Sequence, residues 1–210
     1  MYTLYYAPST ASLAVHWMLI ELGVPFETVK LDLKVARDQD KPAYRALNPA
    51  GTVPTLVVDG VPVAETAAIL MLLAERHPEA GFAPPPGSPQ RGPWLQTMMH
   101  LTNTLMPAFR CWFYPAEVAD NDAAQAAQGA RVMQVWDRMD AQLADGRPFL
   151  LGDTLTTADF LLTMLTRWSR NMQRPATAWP HLGAYVNRMR AMPSLREVHA
   201  REGLTDWIDG

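Results

Sequence analysis

The sequence predicts a chain in two differently built parts, an α/β N-terminal part of order βαβ-α-ββα followed by an all-helical C-terminal part. Strand and helix signals alternate over residues 1–78. A proline-rich run, Ala83-Pro84-Pro85-Pro86-Gly87-Ser88-Pro89, then breaks the pattern. Beyond it the strand signals vanish and apolar residues recur at helical spacing. The expected division is 1–78, a linker at 79–89, and a helical domain at 90–210.

Each element has its own signal. Tyr2 to Tyr6 is aromatic and apolar and stops short of Pro8, which suits a buried strand. Ser12 to Leu22 reads as a helix, with Leu13, Trp17, Ile20 and Val24 at three- and four-residue spacing and Gly23 at its end. Phe26 to Leu31 is a second strand, and the helix between the two makes them parallel. Residues 34–47 are charged and weakly helical. Thr55 to Val58 and Val61 to Ala64 flank Asp59-Gly60, a hairpin signal. Thr66 to Arg76 is helical and ends before Pro78.

In the second part, Trp94, Met98, Leu101, Leu105, Phe109 and Trp112 form one helical stripe, and Val132, Val135, Trp136, Met139 and Leu143 another. Pro107 has no N–H for the carbonyl of Asn103, so a kink is expected there. Thr156-Thr157-Ala158-Asp159 reads as a capping box. The helix it opens is apolar on most sides and belongs at the centre of the helical part. Leu182 to Met189 is a later helix, and Pro193 starts one more.

Composition narrows the function. Hydrophobic residues make up 49% and charged residues 19%, enough for a core. A net charge of −3 argues against nucleic-acid binding. The single cysteine, Cys111, excludes an internal disulfide and a cysteine-rich metal site. No second histidine has metal-ligand spacing with His16, so no metal is expected. The start lacks a basic leader, and the longest apolar run, Ala67 to Ala74, is too short to span a bilayer. A cytoplasmic protein with no membrane partner is expected.

Four motifs carry a resemblance. Tyr5-Tyr6-Ala7-Pro8-Ser9-Thr10-Ala11-Ser12 resembles the first strand and catalytic loop of bacterial and insect-type glutathione transferases. Asn48-Pro49-Ala50-Gly51-Thr52-Val53-Pro54 resembles their N-P-x-G-x-V-P loop. Ala64-Glu65-Thr66-Ala67-Ala68-Ile69 resembles the opening of their third helix, and Thr156 to Asp159 the capping box of their sixth. The similarity runs in element order from residue 2 to about 205. It implies a thioredoxin-like, glutathione-binding N-terminal domain and an all-α C-terminal domain.

The resemblance also implies a site. The Val53-Pro54 bond is expected to be cis, turning the main chain of Val53 toward the cysteinyl part of glutathione, which then pairs as an added strand; Thr52 belongs to the same stretch. Glu65 and Thr66 are expected to hold the γ-glutamyl end, because a helix start offers unpaired N–H groups to a carboxylate. Arg37 is the candidate for the glycyl carboxylate, with Lys34 and Lys41 as alternatives. A thiol of pKa about 8.5 must be held as thiolate to act as a nucleophile. The beta-class cysteine position is Ala11 here, so mixed-disulfide chemistry has no nearby thiol. The serine of the delta and theta-like classes falls at Thr10, the first candidate for the thiolate donor. Ser12 is the second and Ser9 the third, with the N–H groups of Ala11 and Ser12 also available. Asn103 lies where relatives place a polar active-site residue. Met99, Met106, Phe109, Trp112, Phe113 and Trp168 are the candidates for a second-substrate pocket. The function expected is a homodimeric transferase that conjugates glutathione, its co-substrate, to a hydrophobic electrophile. The alternatives are a glutathione-dependent isomerase or dehalogenase, or a non-catalytic glutathione-binding or protein-interaction module.

Overall fold

A computed structural model of the chain describes residues 1–117 and 122–209. In chain order the elements are β1 (Tyr2–Tyr6), α1 (Ser12–Glu21), β2 (Phe26–Lys30), α2 (Pro42–Arg45), β3 (Thr55–Val58), β4 (Val61–Ala64) and α3 (Thr66–Arg76). Then come α4 (Arg91–His100), α5 (Met106–Phe113), α6 (Asp122–Gln142), α7 (Thr157–Trp168), α8 (Pro180–Arg190) and α9 (Pro193–Glu202). Two compact units result, one of Met1–Ala80 with Ala191–Asp209, the other of Gly81–Arg190.

The first unit is built on a four-stranded sheet of order β2-β1-β3-β4. β1 and β2 run parallel, from Tyr2 opposite Phe26 to Tyr6 opposite Lys30. β3 lies antiparallel to β1, with Tyr5 opposite Thr55, and β4 antiparallel to β3, with Thr55 opposite Ala64. Asp59 and Gly60 both have positive φ, 52° and 87°, the pairing that a two-residue hairpin turn requires. Along β1 the side chains of Tyr2, Leu4 and Tyr6 are buried and those of Thr3 and Tyr5 half-buried, the two-residue period of a strand. α1 is buried continuously from Ser12 to Leu19, because it packs against β1, α3 and α9 at once. Val24, read as part of its stripe, lies beyond the helix, after Gly23 at φ +65°. The weakly helical stretch at 34–47 resolves into a 3₁₀ turn at Asp38–Asp40 and the one-turn α2.

The last helix departs from expectation. Residues 191–209, assigned from the sequence to the helical domain, group with the first unit. The reason is the second apolar side of α1, which α9 covers. Trp17 Nε1 donates to Ser194 Oγ at 2.8 Å, and the Ser194 hydroxyl donates to Glu21. Glu202 closes the far end. Its Oε1 lies 2.9 Å from His16 Nδ1, and its Oε2 accepts the Ser9 N–H at 3.1 Å. Both His16 and Glu202 are buried.

The second unit is helical. Between α4 and α5 the chain forms a π-helical turn, Leu101–Leu105, in which the Met106 N–H reaches the Leu101 carbonyl. The expected break at Pro107 is thus accommodated by a widened turn just before it. α7 is buried from Thr157 to Arg167 and sits at the core. Its start is held by the buried Asp159 carboxyl group, which accepts from Leu150 N–H (2.8 Å), Thr156 N–H (2.8 Å), Thr156 Oγ1 (3.0 Å) and Tyr185 OH (3.0 Å). Among the described residues, no helix is long and apolar enough to cross a membrane.

Two stability outcomes follow. Asp159→Ala leaves several buried donors without an acceptor and should cost about 3 kcal/mol or more in urea unfolding; a loss under about 1 kcal/mol would show that α7 does not need this cap. Glu202→Ala removes the carboxylate that accepts the Ser9 N–H and meets His16 and should cost about 2 kcal/mol. Proteolysis within residues 191–209 should accelerate in that variant, and unchanged cleavage would refute the tie.

Candidate functional site

The sheet topology gathers three chain reversals at one end. β1 leaves it through Ala7, β3 enters it from Pro54, and β4 leaves it through Ala64. Thr66 Oγ1 donates to the Ala11 carbonyl at 3.5 Å, which links the starts of α3 and α1. Most of the residues expected to bind glutathione lie on these three reversals.

In the first reversal the hydroxyls of Thr10 and Ser12 both donate to the Ala7 carbonyl, at 2.7 and 3.0 Å. The two oxygens lie 2.8 Å apart. They also accept, Ser12 Oγ from the Ala7 N–H and Thr10 Oγ1 from the Ser12 N–H, each at 3.3 Å. A hydroxyl has one proton to give, so the loop uses both of its own. Ser12 is 0% exposed, which corrects its candidacy for the sulfur. It ties the loop together from beneath. Thr10 remains half-buried. The Ser9 N–H is taken by Glu202, at a backbone φ of +63°. The Ala11 N–H makes no hydrogen bond among the described residues.

The second reversal is more heavily braced. The Val53-Pro54 peptide is cis, as expected from the sequence. Asn48 Oδ1 accepts the Ala50 N–H at 3.1 Å, and its Nδ2 donates to the Thr52 carbonyl at 2.8 Å and to Thr55 Oγ1 at 3.1 Å. Tyr44 OH donates to the same Thr52 carbonyl at 2.5 Å. Arg45 Nη1 donates to the Pro49 carbonyl at 2.5 Å. Gly51 has φ +63°, a backbone conformation that favours glycine, and a Cβ there would have to displace the end of the Arg45 side chain, 2.5 Å away. Tyr44 and Arg45 were not singled out from the sequence. Their one signal was the short charged helix beside the motif.

Arg37 is exposed and occupied. Its Nε donates to Asp40 at 2.7 Å, and Arg45 reaches the other oxygen of Asp40 at 3.0 Å. Hydrogen bonds from Arg45 and then Arg37 hold the Asp40 carboxyl below its ordinary range. Lys41 is likewise paired, with Asp38 at 2.5 Å. Lys34 enters no ion pair among the described residues. In the third reversal Glu65 is exposed at φ +71°, while Thr66 is buried, with its hydroxyl on Ala11.

The helical unit divides its candidates. Asn103 is exposed on the π turn and makes no side-chain hydrogen bond among the described residues. Met99 is 43% and Phe113 42% exposed, while Met106, Trp112 and Trp168 are half-buried. Phe109 is 0% exposed and touches Phe113, Trp136 and Trp168 at centroid distances of 5.9, 6.0 and 5.7 Å. Its candidacy as a pocket residue is therefore corrected; it is the hub of an aromatic core.

Comparison with known proteins agrees with this geometry. Residues 8–76 match the family model for the glutathione S-transferase N-terminal domain, and residues 97–193 the C-terminal domain. The chain is 32% identical over 205 residues to glutathione S-transferase GST-4.5 of Xanthomonas campestris pv. campestris, covering 96% of this chain and 98% of that protein. It is 29% identical over 202 residues to glutathione S-transferase GstA of Escherichia coli O157:H7, again over 96% and 98%. A sphingomonad glutathione S-transferase solved in complex with glutathione superposes with a TM-score of 0.86 at 33% identity, over 97% of this chain and 100% of that one. The chain belongs to the glutathione S-transferase family.

Proposed function

We propose that the chain binds glutathione at the sheet end where the three reversals meet and transfers it, as thiolate, to an electrophilic carbon of a hydrophobic substrate. The observation that carries the reading is the convergence of the Ala7–Ser12 loop, the cis Val53-Pro54 peptide and the start of α3 at one end of one sheet. Val53 offers main-chain groups for an extended peptide, and none of the loop's described hydrogen bonds uses them. The N-terminal turn of α3, with Glu65 before it, suits the γ-glutamyl end. Lys34, which among the described residues enters no ion pair, is favoured over Arg37 for the glycyl carboxylate.

For the sulfur, Thr10 and the Ala11 N–H are the donors within reach of solvent. The Ala7 carbonyl has two hydroxyl donors, so Thr10 can turn its proton to a thiolate while Ser12 keeps the carbonyl satisfied. Sulfur then attacks carbon, the leaving group departs with its bonding pair, and the thiol proton goes to solvent. Met99, Met106, Trp112, Phe113 and Trp168 are proposed for the electrophile, with Asn103 as a polar contact. The same reading has the chain as a cytoplasmic homodimer, to which the exposed Leu95 of α4 contributes.

The purified chain should be retained on immobilised glutathione and should conjugate glutathione to a chlorodinitrobenzene. Retention without turnover on several electrophiles would replace the transferase with a binding module, and no retention would overturn the reading. Thr10→Val should raise the pKa of the bound thiol by about one unit, the equivalent of one hydrogen bond. The thiolate absorbance of the complex against pH reads this directly, and an unmoved curve would remove Thr10 from the chemistry. Ser12→Ala should lower stability by about 1–2 kcal/mol and leave that curve in place.

A further inference from the structure

We infer that Tyr44 and Asn48 are positioning residues of the glutathione site, which clamp the Thr52 carbonyl and thereby aim the Val53 N–H at the ligand. The inference rests on the reading above and adds residues that neither touch the sulfur nor belong to the expected contacts.

One peptide plane, between Thr52 and Val53, governs the geometry. The bond between Thr52 and Val53 is trans, since the cis bond lies one step later. In a planar trans peptide the C=O and the following N–H point in opposite directions. Whatever fixes the Thr52 carbonyl therefore fixes the Val53 N–H. Two donors converge on that carbonyl, Tyr44 OH at 2.5 Å and Asn48 Nδ2 at 2.8 Å. Both residues are buried, so the donors are held on the protein side. The Val53 N–H must then face away from them.

The clamp is itself fully specified. A phenol has one proton, and it is spent on Thr52, so the Thr55 hydroxyl, 2.8 Å away, donates to the phenol oxygen. Thr55 Oγ1 in turn accepts from Asn48 at 3.1 Å. The ring of Tyr44 packs on Tyr5 at a centroid distance of 5.7 Å, which sets its orientation. Burial pushes the Tyr44 phenol pKa up, so it stays a donor through neutral pH. A loop peptide with one donor could rock about its axis; with two it is pinned. An extended ligand pairing with Val53 depends on that orientation.

Tyr44→Phe removes the hydroxyl and keeps the ring on Tyr5. Its Kd for glutathione by titration calorimetry, and its KM for glutathione, should rise about five- to tenfold, the scale of one hydrogen bond. The kcat at saturating glutathione and the KM for the electrophile should stay within about twofold, because sulfur activation and the second substrate are untouched. Asn48→Ser removes the other donor and should shift the glutathione Kd in the same direction. Amide exchange at Val53 should be slowed by glutathione in the wild-type chain and less so in Tyr44→Phe. Wild-type affinity in both variants, with only the melting temperature lowered, would assign Tyr44 and Asn48 a purely structural role and overturn the inference. A wild-type chain that binds no glutathione at all would remove the underlying reading, and this inference with it.

Discussion

The antiparallel pairing of β3 with both of its neighbours is the constraint from which the candidate site descends. It sets the end of β1, the beginning of β3 and the end of β4 side by side, so three loops distant in sequence share one end of the sheet. Register matters as much as direction. A slip of one residue would exchange the two faces of β3 and carry the Pro54 turn with it. The buried Leu56 and Val58 oppose that slip, since it would bring them out of the core.

Around this frame the polar groups are arranged by satisfaction rather than by charge. The Ala7 carbonyl collects two hydroxyls, the Thr52 carbonyl a phenol and an amide, and Glu202 an amide and an imidazole. Each arrangement fixes a stretch of backbone near the sheet end with buried partners, which water cannot easily replace. Among the described residues, the main-chain donors of Ala11 and Val53 are left outside this accounting. A rigid frame with a few unsatisfied donors is what recognition of an extended peptide requires, because little ordering cost remains at binding.

The helical unit follows the same economy with apolar material. Phe109 is surrounded by Phe113, Trp136 and Trp168, and α7 runs buried through the core from its capped start. The π turn at Leu101–Leu105 widens the helix before Pro107, and Asn103 lies exposed on it. Irregular turns of this kind place a side chain where a regular helix would not.

Local pattern was enough to read the elements. The alternation of β1, the Asp59-Gly60 turn, the capping step at Thr156–Asp159 and the extent of α3 all depend on neighbours within a few residues, and the physics that forms them is equally local. The motifs around Thr10, Val53 and Glu65 were legible for the same reason, since their glycine, proline and hydroxyl residues mark specific backbone shapes. Burial was not legible. Ser12 and Thr10 have nearly the same chemistry and lie two residues apart, yet only Ser12 is sealed from solvent, and Phe109 is indistinguishable from Phe113 until three aromatic rings close over it. The pairing of Arg37 with Asp40, the grip of Glu202 on Ser9 across 193 residues, and the grouping of α9 with the first unit depend on which surfaces meet. The sequence by itself determined the elements, their order and the loop motifs from which the site is proposed, because short-range sterics and periodicity encode them. Tertiary structure alone decided which of those residues face outward and which brace the others, because burial and hydrogen-bond partnership are properties of packed surfaces.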